Sequence, residues 1–195
     1  MIELKHPEAL LVGGQSIGGS QEWYPKLWQR KSGCGPTNAA LLVWYMARTR
    51  PSLAGLCETG DGAKADFVRL MQVMFGYVTP RWKGVNTYEK FAGLFDYLAQ
   101  NGAGALLAPD HCAPEAAAAF IQEKLLADCP VAFLNLDSGS VRGMDSWHWM
   151  TVIGFDAQTQ RVKYCDQGEA KEFLLPQWIE TSKRGGLFVS FIEKN

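Results

Sequence analysis

The feature of this sequence that most constrains its fold is a change of hydrophobic periodicity about two-thirds of the way along the chain. Before Pro130, apolar residues recur at helical spacing, as in GAKADFVRLMQVMFGY, residues 62–77. After Pro130, short segments rich in β-branched and aromatic residues alternate with turn sequences such as DAQTQ and DQGE. Helical patterns followed by strand patterns predict an α+β architecture, with an N-terminal helical lobe and a C-terminal antiparallel β-sheet lobe.

The same patterns give the extent of each predicted element. Helices are predicted over residues 39–48, 62–77, 87–102, 113–129 and 175–182. Strands are predicted over residues 130–136, 146–156, 161–168, 170–175 and 185–192. Because 195 residues, 47% of them hydrophobic, suffice for one core, we expect a single domain over 1–195. Its helical lobe would cover about 22–130 and its β lobe about 131–195.

Charge and composition exclude several classes of partner and cofactor from the prediction. The formal net charge is −1 and no basic stripe recurs, so no nucleic-acid partner is expected. No stretch approaches the roughly 20 apolar residues of a membrane span, and the first residues do not fit a secretory signal, so we expect a cytoplasmic protein without a membrane partner. The glycine clusters GGQSIGG and GDGAK lack the spacing of phosphate-binding loops. We predict no cofactor, no metal site and five free cysteines.

Cys34 lies in the sequence GCGPT, at the start of the chain's strongest helical pattern. A helix N-terminus carries a partial positive charge and unpaired N–H groups, which favour the thiolate over the thiol. Gly33 and Gly35 are expected to let the backbone turn sharply and let a substrate carbonyl approach. Pro36 suits the first helical turn, where its missing N–H would be unpaired in any case. The arrangement predicts an exposed nucleophilic sulfur.

His148 and Asp166 are the candidate partners of this thiol. His148 lies in the strand segment SWHWMTVIGFD, where a lone polar side chain among large apolar ones needs a hydrogen-bonding partner. Asp166 ends the next strand, 18 residues further on, so one hairpin can bring it beside the imidazole and fix the tautomer. Simpler interpretations stay open, namely a core histidine bonded to the backbone and an aspartate that forms a turn.

Three further features are candidates for contact with a substrate. Gln29 lies five residues before Cys34, and its amide is predicted to join the Cys34 backbone N–H as an oxyanion hole, with an ordinary surface position as the alternative. Trp147 is a candidate wall of an apolar subsite, with core packing as the alternative. The glycine- and serine-rich loop at residues 137–146 is either a lid or an ordinary hairpin loop.

These motifs together resemble a known family. The sequences GCGPTNAALL, HWMTVIGFD and VKYCDQG, with FLLPQWIE after them, are similar to those of papain-like cysteine peptidases. The greatest similarity is to the bacterial group of double-glycine bacteriocin-leader peptidases and their stand-alone relatives. The resemblance covers the chain from Gln29 onward, although residues 51–129 carry no family signal. It departs from the family pattern at Gln167, where relatives usually have proline, and in the position of Gln29, which many relatives place six residues before the cysteine.

The resemblance implies a papain-like two-lobe fold with the active site between the lobes. It implies Cys34 as nucleophile, His148 as general base and acid, Asp166 as the residue that orients the imidazole, and Gln29 as oxyanion donor. Gln21 and Gln15 are more distant substitutes for this last role.

The expected function is cleavage of a peptide or amide bond through a Cys-His-Asp triad and an acyl-enzyme, with a peptide or a small acyl or amide compound as substrate. One alternative is an acyltransferase or transpeptidase that uses an amine or thiol acceptor. A second is a catalytically silent peptide-binding module. A third is a redox or structural role for Cys34, for which Cys57 is the sequence-local resolving candidate.

Overall fold

The computed structural model describes residues 1–80 and 84–194 and has a mixed α+β architecture with an antiparallel sheet. Within these residues, the α-helices are α1 (Leu27–Ser32), α2 (Cys34–Thr49), α3 (Lys64–Tyr77), α4 (Tyr88–Phe91), α5 (Gly93–Gln100), α6 (Ala117–Leu126) and α7 (Leu175–Thr181). The strands are β1 (Ile2–Glu3), β2 (Leu11–Val12), β3 (Ser16–Ile17), β4 (Leu107–Cys112), β5 (Val131–Asn135), β6 (His148–Asp156), β7 (Arg161–Asp166), β8 (Glu169–Leu174) and β9 (Gly186–Glu193). The predicted domain extends over residues 81–83 and 195 as well, which lie outside the described residues.

Helix α2 is the central element of the core. Its side chains from Gly35 to Ala47 are all buried, as expected for a helix that is apolar on every face. The amide of Asn38 fastens this helix to β6, since its Nδ2 donates to the carbonyl of Trp149 (2.8 Å) and its Oδ1 accepts from the hydroxyl of Thr151. The N-terminal turn of α2 is therefore held against the first residues of β6.

The main sheet brings the C-terminal strands together in antiparallel pairs. In the described part of the chain, its strand order is β4-β9-β5-β6-β7-β8, and β1 pairs with the far end of β6. The five strands predicted after Pro130 are confirmed. Strands β1 and β4 also join this sheet, although they precede residue 131, so the sheet extends beyond the segment predicted for it.

Two local features differ from the predicted elements. His111, which lies outside every predicted helix and strand, is in β4, where its ring stacks on Tyr88 with centroids 4.1 Å apart. β4 is an edge strand, a position that tolerates Pro109 and a polar sequence without apolar alternation. The single helix predicted over 87–102 is divided into α4 and α5 at Ala92. The next residue, Gly93, packs so closely on α3 that an added Cβ would collide with the carbonyl of Tyr77.

The other predicted helices are confirmed with small changes of length. The helix predicted at 113–129 begins with a 3-10 turn at Pro114–Ala116 and continues as α6. Among residues 1–80 and 84–194, every helix is too short or too polar to cross a bilayer.

Candidate active site

Cys34 is the first residue of α2, and only Gly33 separates it from the last residue of α1. Both flanking glycines are required by protein packing. A Cβ on Gly33 would lie 2.5 Å from the carbonyl oxygen of Gln29, and one on Gly35 would lie 2.8 Å from Cβ of Val85. Neither glycine has a positive φ angle, so the sharp turn expected from left-handed backbone is not their contribution. A contact of either glycine with substrate stays a prediction.

His148 and Asp166 form a hydrogen-bonded pair beside this helix terminus. Nε2 of His148 lies 2.7 Å from Oδ1 of Asp166, and the two side chains are only 10% and 7% exposed. The register of β6 and β7 pairs Thr151 with Cys165, which places Asp166 diagonally opposite His148 on the same face of the sheet. Because Nε2 is occupied by the carboxylate, Nδ1 is the ring nitrogen left to exchange a proton with the sulfur.

One small cavity brings the three predicted triad residues together. Cys34, His148 and Asp166 all line it, and Gly19, Asn38 and Cys165 contribute further walls. The helix supplies the sulfur, the first residue of β6 supplies the imidazole, and the last residue of β7 supplies the carboxylate. The cavity therefore lies where the N-terminus of α2 meets the end of the sheet.

The charges in this cavity favour a protonated imidazole. Burial alone would lower the pKa of His148, but the carboxylate of Asp166 and the sulfur of Cys34 that face the ring raise this pKa to about 10. Burial would raise the pKa of Asp166, but the hydrogen bonds from His148 and Lys171 hold it below its ordinary value of 3.8. The carboxylate of Asp166 therefore favours the imidazolium form of His148.

Lys171 is a residue of this site that the sequence reasoning did not identify. Its Nζ lies 3.0 Å from Oδ2 of Asp166, so each oxygen of the carboxylate has its own cationic or hydrogen-bonding partner. The signal was present in the hairpin, because Gln167 and Gly168 both have positive φ and form a two-residue turn. This turn pairs Asp166 with Glu169, and residue 171 then falls on the same face of the sheet as Asp166.

The structure does not place Gln29 in the cavity. Its side chain is buried and its Nε2 donates to Oε1 of Gln72 in α3, 3.1 Å away. Gln21 lines the cavity instead, together with Cys34. Its Nε2 donates to the carbonyl of Arg30 (2.6 Å), a contact that fixes the orientation of the amide. Sequence spacing favours Gln29 because it is nearer to Cys34 along the chain, but its side chain contacts Gln72 and does not line the cavity.

The other cysteines bear on the redox alternative. Every cysteine of the chain is a free thiol, as predicted. Cys57 lines a different cavity, with Glu58 and Tyr97, and does not share a cavity with Cys34. Cys165 does line the cavity of Cys34, but burial raises its pKa to about 12, so it remains a protonated thiol at neutral pH.

The loop at residues 137–146 is hydrogen-bonded to the end of α7 and to the residues that follow it. The carboxylate of Asp137 accepts hydrogen bonds from the backbone N–H of Gly139 (3.1 Å) and Lys183 (2.7 Å). The backbone N–H of Ser140 donates to the hydroxyl of Thr181 (2.9 Å). These bonds favour a fixed rim over a mobile lid.

Trp147 follows this loop and precedes His148. Its side chain is 50% exposed, so the core-packing alternative for this residue is wrong. Contact with a substrate stays a prediction.

No protein-family model, curated protein or solved structure matches the chain. The resemblance to papain-like cysteine peptidases therefore stays a prediction. It depends on the sequence motifs around Cys34, His148 and Asp166.

Proposed function

We propose that the protein is a papain-like cysteine hydrolase that cleaves a peptide or amide bond through an acyl-enzyme on Cys34. One observation carries the proposal. A cysteine at the N-terminus of a buried helix shares a cavity with a histidine whose far nitrogen is 2.7 Å from a buried carboxylate. A redox cysteine or a peptide-binding module does not need an imidazole oriented in this way.

The proposed reaction begins from the thiolate–imidazolium pair. The sulfur of Cys34 attacks the carbonyl carbon of the substrate, and the carbonyl oxygen becomes negatively charged. His148 then donates its proton to the leaving nitrogen, and the C–N bond breaks to give a thioester. In the second half, neutral His148 takes a proton from water, whose oxygen attacks the thioester carbon. The acid product leaves and the thiolate–imidazolium pair is restored.

Two groups support an oxyanion hole beside Cys34. The backbone N–H of Cys34 lies in the first turn of α2, where N–H groups have no partner within the helix. The amide nitrogen of Gln21 carries two hydrogens, of which one is donated to Arg30, so the second can be donated into the cavity. We assign Gln21, rather than Gln29, as the side-chain donor to the developing oxyanion.

The architecture supports the papain-like assignment in its broad plan. The helix that carries the nucleophile is the most buried helix, and it packs against the strand that carries the histidine. The carboxylate comes from the next strand of an antiparallel sheet. We therefore propose that the active site lies between a helical lobe and a β lobe, in the manner of that fold.

The test is acylation of Cys34 by a benzoyl thioester with a chromophoric thiol as leaving group. We expect release of the thiol and a benzoyl adduct on Cys34, detected by peptide mass. Cys34→Ala should abolish the adduct, and His148→Ala should slow thiol release by about 100-fold or more. Cys112→Ala is the matched control, because Cys112 is also a free, partly exposed thiol but lies outside the cavity. An adduct formed equally fast without His148, or no adduct on Cys34, contradicts the proposal.

A further inference from the structure

Trp147, the residue before His148, has an unusual backbone. Its φ angle is +59°, a left-handed conformation that is uncommon for a large side chain. Such conformations are energetically costly and persist where the surrounding structure imposes them, often at functional sites. The result here is that an indole ring, half exposed to solvent, lies next to the residue that we assign as general acid.

Arg184 covers this indole. The guanidinium carbon lies 5.1 Å from the centre of the Trp147 ring, which is a cation–π contact. Trp147 directly precedes His148, so this contact holds the guanidinium within reach of a substrate bound at His148.

Arg184 and its neighbour Lys183 have no ionic partner in the described chain. Across residues 1–80 and 84–194, neither side chain has a carboxylate oxygen within 4.0 Å. The charges of both side chains help to lower the pKa of Asp137, but the oxygens of this carboxylate accept hydrogen bonds from backbone N–H groups. Both cations also line a cavity of about 370 Å³, whose walls include Glu115 as the one acidic side chain.

We infer that Trp147 and Arg184 form a subsite for a leaving group that carries a carboxylate. The inference rests on the proposed function. His148 must give its proton to the leaving nitrogen, so the leaving group lies on the imidazole side of the sulfur, where Trp147 is the adjacent residue. An exposed guanidinium without an ionic partner pairs well with a carboxylate, and the indole gives an apolar wall beside it.

The inference is tested by acyl transfer, in which an amine occupies the leaving-group subsite. Benzoyl-Cys34 is formed from the thioester and offered four amines: glycine, glycinamide, aspartic acid α-amide and asparagine amide. The amine nitrogen attacks the thioester carbon, the C–N bond forms as the C–S bond breaks, and neutral His148 takes the proton from nitrogen. The ratio of benzoyl amide to benzoic acid measures capture of the acyl group by each amine.

For each pair of amines, the preference is the capture by the carboxylate-bearing amine divided by the capture by its neutral counterpart. We expect this preference to be about tenfold higher in the wild type than in Arg184→Gln. Comparison of the two proteins cancels the intrinsic reactivity of each amine. A preference for glycine indicates a leaving group with a free C-terminal carboxylate, and a preference for aspartic acid α-amide indicates an acidic side chain. Both results support the subsite. Arg161→Gln is the control, because Arg161 pairs with Glu172 on the far hairpin and should leave the ratios unchanged.

A charge-reversal variant distinguishes loss of the subsite from misfolding. Arg184→Glu should shift the preference from aspartic acid α-amide to lysine amide, a gain that loss of structure does not produce. Three results would overturn the subsite and leave the proposed function intact, provided that Cys34 is acylated normally. They are the absence of any carboxylate preference, a preference that survives in Arg184→Gln, and a preference that is not shifted in Arg184→Glu. Absence of acylation overturns the proposed function and the subsite with it.

Discussion

Substitution of Lys171 by methionine should raise the pKa of His148. Lys171 and His148 bind opposite oxygens of the Asp166 carboxylate, at 3.0 and 2.7 Å. The ammonium therefore neutralises part of the charge that would otherwise hold a proton on the imidazole, and it also repels the imidazolium directly. Methionine keeps the length and apolar stem of lysine but removes the charge and the hydrogen bond.

The size of the effect follows from the geometry. Two cations on opposite oxygens of one carboxylate are roughly 6 Å apart, and with an effective dielectric constant of about 40 they repel by about 1.4 kcal/mol. One pKa unit corresponds to about 1.36 kcal/mol. Lys171 is 33% exposed and partly screened by solvent and salt, so the expected rise in the pKa of His148 is about 0.5–1 unit.

The direct assay is an NMR titration of the imidazole C–H signals, since the chain has only three histidines. The functional assay is the rate of alkylation of Cys34 by iodoacetamide, whose alkaline inflection should move upward with the loss of the imidazolium. Lys163→Met is the matched control, because Lys163 lies on β7 but pairs with Glu3 (2.8 Å). An unchanged or lower pKa of His148 in Lys171→Met, measured against this control, would refute the electrostatic argument.

Two further predictions concern the oxyanion donor and the dependence of stability on pH. Gln21→Ala should slow acylation of Cys34 about 10- to 100-fold in the thioester assay, whereas Gln29→Ala, which loses a contact outside the cavity, should change the rate by no more than about twofold; equal effects would remove the assignment. The folded-state pKa of His148 is raised from 6.5 to about 10, so its stabilising contribution is complete below pH 6.5 and is lost as pH rises toward 10. The wild type should therefore exceed His148→Gln in free energy of unfolding by a few kcal/mol more at pH 6 than at pH 10 in urea titrations, and a difference that does not depend on pH would contradict the ion pair.

Local sequence patterns were sufficient to predict most of the fold and to select Cys34, His148 and Asp166, which share one cavity. Helix α2 and strands β5 to β9 are long or regular enough for periodicity to identify them. Asp166 was placed beside His148 because a single hairpin joins them, and a hairpin is a short-range structure whose register is set by its turn. The hairpin therefore predicts that His148 and Asp166 lie together, and the start of the helix identifies Cys34 as the third residue.

The elements that pattern reasoning missed are those fixed by distant contacts. Strand β4 has a polar sequence with a proline, and it forms only because β9 offers a free edge. Gln21 is thirteen residues before Cys34, and α1 lies between them, so spacing along the chain could not show that it reaches the cavity. Its position depends on the carbonyl of Arg30, a contact without a sequence signature.

Gln167, which departs from the papain-like pattern, contacts the turn that carries Gln21. Gln167 has a φ angle of +52°, which proline cannot adopt, and its side-chain oxygen accepts a hydrogen bond from the hydroxyl of Ser20 (2.6 Å). Ser20 caps the 3-10 turn Gln21–Trp23, so the residue after Asp166 supports the turn that carries the proposed oxyanion donor.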